Sequence, residues 1–538
     1  MDPQLQLQLL LAHADSRRPV LEPGLPLASC DPPELPPPPD SFRDTSADPN
    51  SLPIQRWGIV APEGTAGDRL LAMVERLRQA RQADQEGAPP RVYRAPPALD
   101  AVEAARWRER VYRDEAVPET EVPSYLLVLG DLDQVSLELQ QAMSVDAYVG
   151  RLAFARDEDY EAYADKVLRW ERAPAASAGR LLFFTAHDGS AATSRGYQHL
   201  MRPCLASVRE SAAARNVSVQ EVGAPDRWSL DELLELAAGE TPSALLSLTH
   251  GVGPPHGGWP SARAQRAQQG TMAAGDREPL AAADLAGRKF LPGGVWFYQA
   301  CFSAGTARRS AYHHWLRRLQ DAGEYDQRLA PILAGLAYEQ PFVAALPQAT
   351  LASPGGPLAV IGHVDLAWTS SHEDPETGRG RPSRFTGVLR AIAQGARAGV
   401  ALRALSRFAT EASVDLADLY DGDEVARQGR EAVRKESFLR ARLWMLRQDV
   451  SGYVLLGDPA VRLPVDGRRE AVRPAPATLR HSKEVMEQAV LALLIGDASA
   501  RDIAQRHGIT ISTLRRWDEM YRQAGRNALG TLVPEDEP

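Results

Sequence analysis

From about residue 55 to 465 the chain alternates short apolar runs with amphipathic stretches, and few architectures can bury such a pattern. The runs are RWGIVA (56–61), SYLLVLG (124–130), RLLFFTA (180–186), ALLSLT (244–249), VWFYQA (295–300), PILAGLAY (331–338), PLAVIG (357–362) and GYVLLG (452–457). Most are apolar throughout, as expected of strands covered on both faces. Between them lie helical patterns such as DRLLAMVERLRQARQAD (68–84), EDYEAYADKVLRWERA (158–173) and ARRSAYHHWLRRLQDAG (307–323). This predicts an α/β fold with a mostly parallel sheet flanked by helices. Such sheets bind ligands beyond the carboxyl ends of their strands. The residues just after the runs therefore carry the functional reading: Asp131, His187 and Asp188, His250 and Gly251, Cys301, His363 and Asp365.

The rest of the chain divides around this region. Its 538 residues allow two to four domains. Residues 1–54, with the stretch DPPELPPPPD, read as a Pro-rich disordered tail. Residues 55–175 read as an N-terminal α/β subdomain and 176–466 as a catalytic subdomain. A polar linker at 467–480 precedes a helical unit at 481–533. A net charge of −9 argues against a wholesale nucleic-acid binder. The three cysteines, Cys30, Cys204 and Cys301, exclude a disulfide scaffold and leave room for one reactive thiol. No apolar run approaches the length of a membrane span. The start, MDPQLQLQLLLAHAD, lacks a basic segment and a small-residue cleavage site, so a cytoplasmic location is expected. No cofactor or metal is expected.

Two stretches carry chemistry, SLTHGVG (247–253) and FYQACFSAG (297–305). Each sets a reactive side chain after a buried strand and before a glycine. A thiol needs a base to become a thiolate at neutral pH, and an imidazole within reach can serve. An acyl-transfer site also needs N–H groups for the developing oxyanion. Gly251 leaves its N–H open to a carbonyl, and the N–H of Cys301 is a second donor. Adjacent parallel strands would set His250 and Cys301 side by side. The sequence Gln299-Ala300-Cys301 matches the start of the caspase signature, with its histidine 51 residues upstream, although Phe302 and Ser303 depart from its end.

The chain resembles caspase-like (clan CD) cysteine peptidases, most closely their gingipain-type branch. YLLVLGDLD with YVGRLAF, SLTHGVG, FYQACFSAG, GHVDLAW (362–368) and the closing YVLLGDPAVRLP (453–464) carry the resemblance. It implies two side-by-side α/β subdomains, the second bearing the catalytic pair. It implies His250 as base and general acid, Cys301 as nucleophile, and Gly251 as oxyanion donor. An acidic pocket beside the nucleophile would select Arg or Lys, and Asp131 and Asp146 are its candidates. The substrate class implied is a protein partner, for instance a gasdermin-like pore former in a bacterial defence or programmed-death system. The alternative is a DNA-binding regulator with a peptidase-like sensor domain.

The C-terminal stretch parses as three helices. The first is KEVMEQAVLALLIG, the second follows Ser499 as N-cap and stops at Gly508, and the third is STLRRWDEMYRQAG. Ala504, Gly508, Ile509 and Leu514 have the spacing of a helix-turn-helix core, and the unit resembles those of transposase-type DNA-binding domains, with Trp517 in the third helix. Thr510, Ser512, Thr513, Arg515 and Arg516 would face a groove. Yet seven Lys/Arg stand against six Asp/Glu between 481 and 533, and three more acids follow. That balance is poor for phosphate contact, so protein-adaptor and DNA-contact roles both stand.

Overall fold

A computed structural model of the chain describes residues 46–466 apart from 214–215, 276, 324–325, 337–339, 375 and 430–436. It also describes scattered positions before 46 and, beyond 466, residues 483–495, 499–507, 514, 517, 518 and 521. Cys30, the expected linker at 467–480 and most of the third C-terminal helix lie outside the described residues. The chain forms two compact units, Met1–Arg468 and Arg469–Pro538.

The first unit is built on a ten-stranded sheet. In chain order its strands are β1 (Trp57–Pro62), β2 (Arg91–Ala95), β3 (Tyr125–Leu129), β4 (Tyr148–Leu152), β5 (Gly179–Thr185), β6 (Val217–Val222), β7 (Ser243–Leu248), β8 (Val295–Gln299), β9 (Ala359–His363) and β10 (Tyr453–Gly457). They stand in the order β2-β1-β3-β4-β10-β9-β8-β7-β5-β6. β10 runs antiparallel to β9, pairing Ala359 with Gly457 and His363 with Tyr453, and parallel to β4. All other neighbours are parallel. The sheet is thus two parallel blocks of opposite sense, β1–β4 and β5–β9, with the last strand as the seam. The two stretches expected as subdomains share this one sheet.

Burial explains which strands were legible. β3, β7, β8 and β9 are buried at every position, so they read as largely apolar runs. β2 and β6 are the two edges of the sheet. Each has partly exposed positions, and polar residues there broke the apolar signal. One expected strand is not a strand. Most of PILAGLAY falls in a helix, α3 below, with Pro331 inside it. A short apolar run does not by itself separate a strand from a buried helical face.

Helices cover the sheet. Among them are α1 (Asp157–Arg172), α2 (Ala191–Gly196), α3 (Asp326–Gly335), α4 (Ser383–Ala393), α5 (Ala398–Gln428) and α6 (Ser437–Ser451). In β8 the side chains alternate between faces. Trp296 and Tyr298 stack at 4.6 Å, and the Trp296 indole donates to Ser247 at 2.9 Å. Phe297 packs against Phe385 of α4 and Tyr453 of β10. The fold also takes in chain ahead of residue 55. Leu52 is buried, and Asn50 accepts both the backbone N–H and the guanidinium Nε–H of Arg397 at 2.9 Å.

In the second unit α7 (Lys483–Ile495) and α8 (Ala500–Arg506) pack through Ala489, Val490, Ile503 and Ala504, joined by Leu514 and Trp517. Ser499 caps α8, its hydroxyl accepting the N–H of Asp502 at 3.3 Å. Gly508, Ile509, Thr510, Ser512, Thr513, Arg515 and Arg516 lie outside the described residues.

Candidate active site

β7 and β8 are parallel neighbours in a register that sets Leu248 opposite Gln299. Two residues further on, position 250 faces position 301 across the sheet edge. Thr249 N–H donates to Gln299 O at 3.2 Å, so the pairing continues past the end of β7. His250 and Cys301 line one open cleft. Its other walls include α2, through Ala192 and Thr193, and the loop Ala367–Thr369.

The glycine after the histidine is a packing requirement. A Cβ on Gly251 would lie 1.9 Å from Cys301 O and 3.2 Å from Cys301 N. Only a residue without a side chain lets the two backbones approach this closely. Gly251 also faces Met272 in an isolated antiparallel bridge. The hydrogen bonds of that bridge run from Val252 N–H to Thr271 O (2.9 Å) and from Ala273 N–H to His250 O (3.0 Å). They do not use the Gly251 N–H. Directly after Cys301 the backbone turns through a left-handed conformation at Phe302, φ 57°. A buried aromatic residue tolerates that geometry only where its surroundings enforce it. Here Phe302 N–H donates to Asp365 O at 2.9 Å, and Gly270 lies against Phe302 O with no room for a side chain.

The imidazole of His250 is half exposed and turned toward the β5 loop. Its Nε2 lies 2.9 Å from Ser190 Oγ and 3.6 Å from Asp188 Oδ2. Asp188 in turn accepts the Thr193 hydroxyl (2.7 Å) and the Ser190 N–H (3.0 Å). Burial raises the Asp188 pKa, but these hydrogen bonds outweigh it and hold the carboxyl below its ordinary value. Ser190 also caps α2, accepting Thr193 N–H at 3.2 Å. The Asp-Gly-Ser sequence after β5 is a turn-and-cap signal, and the strand-end rule had marked Asp188. Nothing local says that the turn reaches a histidine on another strand.

The Cys301 thiol lies against the loop opposite. Ala367 N–H points at Sγ from 3.3 Å, and Sγ lies 3.7 Å from Ala367 O. Burial pushes the thiol up to about 11, with the Ala367 N–H pulling the other way. In this state it is protonated and donates to Ala367 O. The Ala367 loop is itself held from behind. Asp449 of α6, fully buried, accepts Trp368 N–H (2.9 Å) and Ser371 N–H (3.0 Å). Trp368 packs edge-on against Trp315 and Tyr312. Asp449 carries no sequence signature, being one acid within a helix.

The acidic candidates behave otherwise. Asp146 pairs with Arg113 at 2.6 Å and Arg108 at 3.7 Å. Asp131 pairs with Arg266 at 2.9 Å and accepts Val343 N–H at 2.7 Å. Neither lines the cleft, so the expectation that they form a substrate pocket is not met. Their charge is matched by arginines that the sequence places far away. His187 packs edge-on against Tyr197, and His256 is exposed in its loop. Among the described residues no group of three or more His, Cys, Asp or Glu is arranged to hold a metal ion. None of their helices is long and apolar enough to cross a membrane.

Residues 487–532 match a helix-turn-helix domain family. No curated protein matches the chain. Among solved structures, one described as a protease is 12% identical with a TM-score of 0.43, covering 81% of this chain and 81% of its own. The Arg-specific cysteine proteinase gingipain R is also 12% identical with a TM-score of 0.43, covering 76% of this chain and 78% of its own.

Proposed function

We propose that this protein is a cysteine endopeptidase, with Cys301 as nucleophile and His250 as its base. One observation carries the reading: the register of β7 and β8 sets both residues at one cleft, with Gly251 packed on the Cys301 backbone. In the proposed reaction His250 leaves Ser190, takes the thiol proton, and Sγ attacks the substrate carbonyl. The N–H groups of Gly251 and Cys301 are the donors to the oxyanion. His250 then protonates the departing amine, and water releases the acyl group. Asp188 and Ser190 orient the imidazole between these steps.

The substrate in this reading is a protein partner, and the resemblance to caspase-like peptidases suggests a gasdermin-like pore former in a bacterial defence system. The C-terminal unit would recruit it. A second reading, a DNA-binding regulator with a peptidase-like sensor domain, is favoured by the helix-turn-helix match at 487–532. Cleavage of unstructured protein by the purified parent, compared with that by Cys301→Ala protein, decides between an active and a vestigial site. The variant should fold as the parent does and cleave no unstructured protein; cleavage at the parental rate would remove the assignment.

A further inference from the structure

The loops that carry His250 and Cys301 lean on one carboxylate from the other block of the sheet. Asp131 follows β3, in the block β1–β4, whereas His250 and Cys301 follow β7 and β8 in the block β5–β9. Asp131 Oδ1 accepts the Val343 N–H at 2.7 Å, and Oδ2 accepts Nη1 of Arg266 at 2.9 Å. Val343 belongs to the short strand Phe342–Val343, which pairs antiparallel with Gly305–Thr306, shortly after Cys301. Ala344 N–H adds a bond to Ala304 O at 3.0 Å. Arg266 sits on the helix Ala262–Gln268, and its guanidinium covers the Phe342 ring at 5.0 Å. The residues after that helix hold the histidine loop. Gly270 N–H donates to Val252 O at 2.9 Å, and Gln269 Nε2 donates to the Thr306 hydroxyl at 2.6 Å. The two carboxylate oxygens thus reach the chain after Cys301 and the chain after His250, one each.

Asp131 is itself held from behind. Arg151 of β4 is fully buried, and its guanidinium donates to Gly130 O (2.7 Å), Asp131 O (3.1 Å), Val135 O (2.8 Å) and Gln140 Oε1 (2.7 Å). A planar guanidinium presents its five N–H donors in a fixed geometry, so one side chain sets this whole turn. Burial lowers its pKa to about 10, which leaves it charged at neutral pH. Hydrogen bonds to an ionised carboxylate are shorter and stronger than neutral ones, so the position of the turn is passed across the seam. Asp146 is the contrast. Its partners Arg108 and Arg113 come from the chain between β2 and β3, in its own block.

We infer that Asp131 is a positioning residue for the catalytic pair: through Arg266 and Val343 it fixes the His250 and Cys301 loops against each other. This rests on the peptidase reading above. Asp131 does not line the cleft, so its loss leaves the substrate contacts in place and disturbs the alignment of imidazole, thiol and oxyanion donors. Misplacing reacting groups by about 1 Å costs up to about 100-fold in rate.

The test measures kcat and KM for an unstructured peptide that the purified full-length parent cleaves and Cys301→Ala protein does not. Asp131→Asn keeps an acceptor for the Val343 N–H and removes the charge facing Arg266. Arg266→Gln removes the other partner. Each should lower kcat by about tenfold or more with KM little changed. The double variant should fall no further than the lower single one, because both break one link. Asp146→Asn should keep the parental kcat. A folded Asp131→Asn protein with the parental kcat would overturn the inference. So would a raised KM at constant kcat, fully additive losses in the double variant, or an equal fall in Asp146→Asn protein. Each of these leaves the peptidase reading standing, whereas a parent that cleaves no peptide overturns both. If Asp131→Asn does not fold, Arg266→Gln decides by the same split of kcat from KM.

Discussion

The carbonyl oxygen of Cys301 lies where Gly251 would carry its Cβ, 1.9 Å from that position. The two loops are thus keyed to one another by the absence of a side chain. Gly251→Ala should force the Cys301 turn aside and abolish cleavage, with a loss of roughly 1–3 kcal/mol in stability as an overpacking change. Gly253 has open space around its Cβ position, so Gly253→Ala should stay within about 0.5 kcal/mol of the parent. Thermal unfolding of the two variants compares them, and equal stability would contradict the packing seen here.

The resting thiol should be slow. With Cys301 held near pKa 11 and bonded to Ala367 rather than His250, little thiolate exists at pH 7. Iodoacetamide labelling should rise about tenfold per pH unit through the alkaline range. Cys204, pushed to about 12 by burial and fully enclosed, should label more slowly still. A plateau below pH 8 for Cys301 would mean that His250 already forms an ion pair with it.

Asp188→Asn keeps the shape of the β5 turn and removes the charge 3.6 Å from His250 Nε2. The imidazolium formed during catalysis would lose its partner. A fall in kcat of about tenfold or more with KM little changed is expected, since general acid–base catalysis by a positioned group contributes about 100-fold or more. The acid limb of the pH–rate profile should move upon substitution. An unmoved profile with unchanged kcat would remove Asp188 from the site.

Asp449 gives the fold a pH dependence of defined sign. Burial pushes its carboxyl up to about 7 despite the Trp368 and Ser371 N–H groups it accepts. Its unfolded value is about 3.9. Between these values the native state binds the extra proton, so stability falls as pH rises from about 4 to about 7. Asp449→Asn cannot ionise. Relative to the parent it should gain on the order of 1–3 kcal/mol from pH 5 to pH 8. Unfolding midpoints across that range test this; parallel curves would show that Asp449 does not titrate there.

The C-terminal unit should be dispensable for the chemistry. A chain ending at 468, the boundary between the two compact units, should cleave short unstructured peptides at close to the parental rate. Cleavage of the natural partner should fall, because tethering raises effective concentration without altering the reaction. The near balance of acids and bases from 481 onward predicts weak, salt-sensitive affinity for random duplex DNA. Tight, sequence-selective binding by the full chain and not by the shortened one would favour the regulator reading.

The layered α/β plan was legible in the amino-acid sequence, because strands buried on both faces are largely apolar, as β7 and β8 are. The sequence marked His250, Gly251 and Cys301, because chemistry in such sheets collects where strands end. It recognised the helix-turn-helix unit, whose core spacing and Ser499 cap are local. Tertiary structure alone decided the rest. The seam at β10 depends on pairing with β4, a strand some three hundred residues earlier. The edge strands β2 and β6 were hidden because exposure lets polar residues into them. Asp131 and Asp146 looked available until the fold brought Arg266 and Arg113 to them. The positions of Asp188 and Asp449 around the cleft come from two separate elements. Charge pairing and side-chain direction across such distances are set by packing, and no local pattern encodes them.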